Sequence, residues 1–224
     1  RNFSTEMVLE RKVRAAITGG ESLSGFVASV ASASPTPGGG SVAAHAGALA
    51  AALAQMVAGL TAGKKKYAAV DAEMKEVALK AAELVNRLSA LVQKDADSYA
   101  AVSAAYKLPG EGDAAAAKQD AITSALLGAA EVPLETARAC AEVLVLALAV
   151  AERGNVNAVS DAGVAALLAE AGARGAAYNV RINVASLEDK SRGAPLVTEI
   201  QQVMANVREH AAKVDRLVEE KIGG

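Results

Sequence analysis

The chain has 224 residues, 52% hydrophobic and 21% charged, with a formal net charge of −2 at pH 7. Aromatics are 3%, Trp is absent and alanine fills about a quarter of the positions; alanine favours helices over strands, so β-sandwiches, barrels and aromatic stacking platforms are set aside. The charge balance disfavours nucleic acid, and a single cysteine excludes an intrachain disulfide or a cysteine-cluster zinc site and points to a reducing, cytoplasmic compartment.

Residues 1–21 read as an extension ahead of a single domain spanning 22–224. They mix Glu6, Glu10, Arg11, Lys12 and Arg14 with no apolar run, unlike a signal peptide, and Val8, Val13 and Ile17 predict a short helix over 5–18. A second short helix is predicted over 22–32, with Leu23, Phe26, Val27 and Val30 on one face, stopped by Pro35 and Pro37. Ser41 is placed to cap a helix over about 42–62, closed by Gly63. That segment is nearly long enough to span a bilayer. Its alanines add little transfer energy, so a buried helix explains it better, with Ala43, Gly47, Ala51 and Ala54 forming a face for close packing.

A long helix follows over about 71–107, ~55 Å at the usual rise, with Val77, Leu84, Leu88 and Leu91 as a seam. Helices over about 114–130 and 133–153 are expected on either side of Pro133, then one over 161–188. The last, over 196–222, carries Leu196, Ile200, Val203, Val207, His210, Val214 and Leu217 at steps of four and three. The fold class is all-α, an elongated bundle of six to eight helices.

Four polar places interrupt the periodicity. Pro35-Thr36-Pro37-Gly38-Gly39-Gly40-Ser41 is either a tight turn or a backbone cradle for an anion at a helix start. Lys64, Lys65 and Lys66 are either a solvated helix end or a carboxylate clamp. Asp95 and Tyr99 share a helix face, whereas Asp95 and Asp97 do not. Asn155, Asn157, Ser160 and Asp161 precede or cap a helix that carries Asn179 and Asn183 four apart, many amides for so apolar a chain. His45, His210 and Cys140 read as core residues, and no metal-ligand spacing is present.

Together PTPGGGSVAA (35–44), GKKKY (63–67), VPL (132–134), GNVNAVSDAGVA (154–165) and NVRIN (179–183) resemble the cyclodeaminase/cyclohydrolase family. That family includes the cyclodeaminase domain of formiminotransferase-cyclodeaminase and the stand-alone bacterial methenyltetrahydrofolate cyclohydrolases. The stretches around Lys64–Lys75 and Glu152–Ala165 look closest to the latter. The resemblance implies an all-helical homodimer that binds a folate and needs no further cofactor, with no nucleic-acid or membrane partner. It implies hydrolysis of 5,10-methenyltetrahydrofolate to 10-formyltetrahydrofolate; the alternatives are a formiminotetrahydrofolate cyclodeaminase releasing ammonia and a non-catalytic folate binder. The lack of a transferase domain within these 224 residues favours hydrolysis. On the same resemblance Asp95 and Asp161 are the expected catalytic carboxylates, with Asp161 alternatively an anchor for the donor edge of the pterin, and Lys65 is a proton donor or electrostatic partner. Pro37 to Ser41, Lys64, Asn155, Asn157, Ser160, Asn179 and Asn183 are expected to bind substrate, with Lys64 clamping its anionic tail.

Overall fold

The computed structural model describes residues 22–112 and 114–223; the helix expected over 5–18 lies outside them. Among the described residues there are six α-helices and no strand: α1 Leu23–Val30, α2 Gly39–Thr61, α3 Asp71–Tyr106, α4 Ala114–Arg153, α5 Val159–Ala185 and α6 Ala194–Gly223. Short 3₁₀ turns, Lys65–Val70, Val156–Ala158 and Lys190–Gly193, link α2 to α3, α4 to α5 and α5 to α6. The all-α bundle is as expected.

α4 is the hub. It packs on α2, α3, α5 and α6, while α2 lies between α3 and α5. The largest fully buried side chains include Met74, Leu88, Leu134, Leu144 and Ile200, and the rest of the core is mainly alanine and valine. Alanine keeps the axes close. At the α2 crossings even a methyl does not fit: a Cβ on Gly47 would stand 2.7 Å from Cys140 Sγ, and one on Gly172 2.8 Å from the Ala43 carbonyl oxygen. The predicted small-residue face of α2 is buried throughout. Cys140 is buried and free, and burial pushes its thiol up to about 12.

Three expectations about the helices change. The pair expected over 114–130 and 133–153 is one 40-residue helix with Pro133 inside it and buried. Ser41 does not cap α2, which begins at Gly39 behind Gly38; its hydroxyl donates instead to Asp95 Oδ2 at 2.8 Å. Neither Ser160 nor Asp161 caps α5, because Asn155 caps the preceding 3₁₀ turn and the helix starts at Val159. In α6 the buried line is Ile200, Met204, Val207, Ala211, Val214 and Val218. Leu196, Val203, His210 and Leu217 fall on its half-buried flank, since α6 must face both α4 and α5.

Ion pairs tie the outer helices to the hub. Arg87 of α3 pairs with Glu135 and Glu142 of α4, and Arg138 of α4 reaches Glu199 of α6 at 2.6 Å. Arg153 of α4 reaches Glu73 of α3 at 2.6 Å.

Candidate active site

A cavity of about 330 Å³ opens where the start of α2, the C-terminal half of α3, the middle of α4 and the C-terminal half of α5 converge. Asp95, Ser98, Tyr99, Val102 and Tyr106 line it from α3 at steps of three and four, one helix face. Gly38, Gly39 and Gly40 line it from the other side, where the first N–H groups of α2 have no intrahelical acceptor. Asn179 and Asn183 enter from α5, as their shared face requires. Among the described residues, Asp95 is the only one lining the cavity that bears a full charge, and no lysine or arginine lines it.

Asp95 is fixed by α2. The buried Ser41 hydroxyl donates to its Oδ2, with the Val92 carbonyl oxygen as a second acceptor at 3.2 Å. The carboxylate sits so close to the helix start that a Cβ on Gly40 would overlap Oδ1 and stand 2.6 Å from Cγ. Gly40 is thus there to admit a carboxylate. Its Oδ1 stays available to a ligand.

Asn183 is fixed by α4. Its Nδ2 donates to the Ala129 carbonyl oxygen at 2.8 Å. Ala129 is four residues before Pro133, and proline has no N–H to give that carbonyl. The side chain on α5 therefore closes the gap that the proline opens in α4. Asn179 Nδ2 donates to the Gly175 carbonyl oxygen at 2.9 Å. Each amide retains its oxygen for a ligand.

The second polar centre forms at the other end of α2. Gly63 follows that helix with φ +75°, and its N–H donates to Asp71 Oδ1 at 2.6 Å, which locks the lysine turn. The lysine beside it lowers Asp71: the Lys75 hydrogen bond, then the Gly63 N–H, hold the carboxyl below its ordinary range. Asn155 joins this end to the α4–α5 turn. Its N–H donates to Thr61 Oγ1 at 2.8 Å, its Nδ2 to the Leu60 carbonyl oxygen at 3.3 Å, and its Oδ1 accepts from Tyr67 Oη at 3.4 Å. The Val156 N–H donates to Tyr67 Oη at 3.1 Å. Lys64, Lys65 and Lys66 are exposed and make no ion pair among the described residues; Lys66 Nζ stands 5.4 Å from the Tyr67 ring centroid. Asp161 is half-buried in the first turn of α5, and Asn157 and Ser160 are exposed.

The structure therefore brings Gly38, Gly39, Gly40, Asp95, Asn179 and Asn183 to one cavity, with Ser41 beneath and Pro37 beside it. It places Lys64, Lys65, Asn155, Asn157, Ser160 and Asp161 at the far end of the 23-residue α2, ~33 Å away. Thr36, Ser98, Tyr106 and Ser186 also line the cavity, though sequence reasoning gave none of them a binding role. The three-four spacing from Asp95 to Tyr106 was the signal for two of these. Among the described residues no three His, Cys, Asp or Glu side chains gather at a metal-binding distance. His45 stacks on Phe26 of α1, centroids 4.7 Å apart, with its buried Nε2 unpartnered.

The fold is an all-helical bundle whose cavity carries one carboxylate and two anchored amides. Residues 22–202 match the family model described as Formiminotransferase-cyclodeaminase, and the chain belongs to that family. It is 41% identical to a methenyltetrahydrofolate cyclohydrolase of Methylorubrum extorquens, over 92% of this chain and all of that one. It is 38% identical to the mouse formimidoyltransferase-cyclodeaminase over 75% of this chain, spanning 31% of that longer protein. The crystal structure of formiminotetrahydrofolate cyclodeaminase from Thermotoga maritima superposes with a TM-score of 0.82 at 32% identity, covering 90% of this chain and 97% of that one.

Proposed function

We propose that the chain is a methenyltetrahydrofolate cyclohydrolase, an enzyme that converts 5,10-methenyltetrahydrofolate and water to 10-formyltetrahydrofolate. The observation that carries this reading is the 41% identity to a cyclohydrolase along the whole of that relative. The cavity suits the chemistry. Water adds to the cationic bridge carbon and gives a proton to a base. The adduct then breaks its bond to the pterin-side nitrogen, which takes up a proton while the hydroxyl loses its own, so one proton is released overall.

Asp95 is the base in this reading. Its charge opposes the cationic bridge, Ser41 holds Oδ2, and Oδ1 meets the water. The oxygens of Asn179 and Asn183 accept from the donor edge of the pterin. Asp161 and Lys65 reach the reaction only from a second copy. The outer face of α2 carries Val42, Leu49, Met56 and Leu60 exposed, and the helix has no charged residue. Two copies paired antiparallel across that face would set Lys65 of the partner subunit beside Asp95, giving the homodimer a chemical purpose. The same pairing takes α2 as a helix between copies: it is apolar enough to cross a membrane, yet half of its apolar window is already buried in the bundle. The reading requires no cofactor beyond the folate and a reducing, cytoplasmic setting.

The test is the near-ultraviolet loss of methenyltetrahydrofolate at mildly acidic pH, which restrains the uncatalysed reaction. Protein-dependent loss that Asp95→Asn abolishes supports the reading. The structural likeness to a cyclodeaminase favours one other reading: no loss here, with ammonia released from formiminotetrahydrofolate, would establish it instead.

A further inference from the structure

A groove of about 290 Å³ between α5 and α6 is lined by Arg174, Arg181, Arg208, Tyr178 and Gln201 over an apolar floor, with no carboxylate among its lining residues. The chain is net negative, so three arginines in one groove stand out. The arginines that hold helices together, Arg87, Arg138 and Arg153, are each paired with glutamate at 2.8 Å or closer. The groove arginines are not. Arg174 has only Glu170 at 3.6 Å, one turn back on its own helix. Arg181 gives Nε to the Ala177 carbonyl oxygen at 3.3 Å, and its guanidinium stands 5.2 Å from the Tyr178 ring centroid, which holds the plane in place. Arg208 makes no ion pair or hydrogen bond among the described residues. It also borders the adjoining groove of Glu170, Asp215 and Glu219, without an ion pair to any of them.

The groove and the cavity are two sides of the same turns of α5. Asn179, Ile182 and Asn183 line the cavity, while Tyr178 and Arg181 line the groove at the same height. Tyr178 and Ile182 between them are exposed. Among the described residues of one chain no cation lines the cavity for an anionic substituent of its ligand; the Lys64 to Lys66 turn of the same chain is ~33 Å off, and Lys65 of the partner subunit is assigned to Asp95. A flexible substituent leaving the cavity over Tyr178 and Ile182 meets the three guanidinium forks, whose geometry matches carboxylates two-pronged.

We infer that this groove is an oligocarboxylate site and that it holds the γ-linked glutamate tail of the folate substrate, the task sequence reasoning gave to Lys64. The inference rests on the folate reading above. Two measurements test it on the intact chain. The first is calorimetric titration at low ionic strength with free γ-linked tetraglutamate and with inorganic phosphate. Tetraglutamate should bind at least about tenfold more tightly than phosphate, and Arg181→Gln/Arg208→Gln should weaken it at least about tenfold with the circular dichroism and Tm retained. The second compares KM for mono- and pentaglutamyl methenyltetrahydrofolate. The pentaglutamate should have the lower KM, and the double variant should raise that KM about tenfold more than it raises the monoglutamate KM. Equal affinity for phosphate, no tetraglutamate binding, or equal loss on both substrates would overturn the inference. Should the wild-type protein turn over neither substrate, the enzyme reading fails and the titration alone decides the groove.

Discussion

Asn183 of α5 supplies the hydrogen bond that Pro133 denies to α4. The Ala129 carbonyl would take its donor from residue 133 in an ordinary helix; here it takes Asn183 Nδ2 at 2.8 Å. The motifs VPL and NVRIN, far apart in sequence, are thus one device. It bonds two helices and aims an amide into the cavity. Asn183→Ala should destabilise the protein by about 1–3 kcal/mol, the usual cost of a buried carbonyl left alone. In a Pro133→Ala background, where an N–H returns to the Ala129 carbonyl, the same change should cost less than half as much. Pro133→Ala alone should raise KM, since Asn183 loses its tether. Additive stability effects in the double-mutant cycle by urea unfolding would show that the two residues act separately.

Gly40 and Asp95 make a second coupled pair. Helix propensity alone says Gly40→Ala should stabilise α2 by up to about 1 kcal/mol. The overlap of that Cβ with the Asp95 carboxylate says the opposite. The steric term wins, because Ser41 pins Asp95 and the side chain cannot swing away without breaking a part-buried hydrogen bond. Gly40→Ala should lower both Tm and kcat in the wild-type chain and raise Tm in an Asp95→Ala chain, where only propensity is left. Asp95→Asn, with no change of shape, should keep Tm and cut kcat at least about a hundredfold.

Elements with strong periodicity were legible in the sequence, and those set by a partner elsewhere in the fold were not. The seam from Val77 to Leu91 and the α2 small-residue face are local patterns, and both are buried as read. Pro133 reads as a break because its rescue comes from Asn183, fifty residues on. Ser41 reads as a cap because its acceptor, Asp95, is fifty-four residues away. The cavity was half legible: the Gly38–Gly40 turn, Asp95 and the two amides were singled out, yet nothing in a linear pattern tells which polar clusters lie at which end of a helix. Asn155 illustrates the limit, as its hydrogen bonds hold the α2 end and the α4–α5 turn together.

The tie between α4 and α6 sets an acid limit. The hydrogen bond from Arg138 holds the Glu199 carboxyl below its ordinary range, against the opposing effect of burial. Because the folded-state value is depressed, the stabilisation is present above the ordinary glutamate pKa of about 4.3 and is lost as the pH falls through the lower, folded value. The Glu199 side chain is 42% exposed, so solvent screening keeps the effect small. Glu199→Gln should lower Tm by about 2 °C at pH 7, and that gap should close as the pH falls below about 4. A gap that is constant with pH, measured by calorimetry across that range, would assign the loss to packing and not to charge.

The two polar centres make a prediction about assembly that one chain cannot meet. Asp95 and Lys65 lie at opposite ends of α2, ~33 Å apart. If each reaction centre takes Asp95 from one subunit and Lys65 from the other, Asp95→Asn and Lys65→Ala homodimers should both be inactive. After mixing and subunit exchange, half of the dimers are mixed. Each of those pairs one doubly damaged centre with one intact centre, so activity should return to about a quarter of the wild-type value by random pairing. A leucine on the α2 outer face gives the control. Leu49→Glu puts a charge on the apolar seam, so it should yield monomers in sedimentation and abolish both the wild-type activity and the recovery. Mixed dimers that form, as shown by differently tagged chains, but stay inactive would place Asp95 and Lys65 in separate functions. An active Leu49→Glu monomer would show that one chain holds a complete centre.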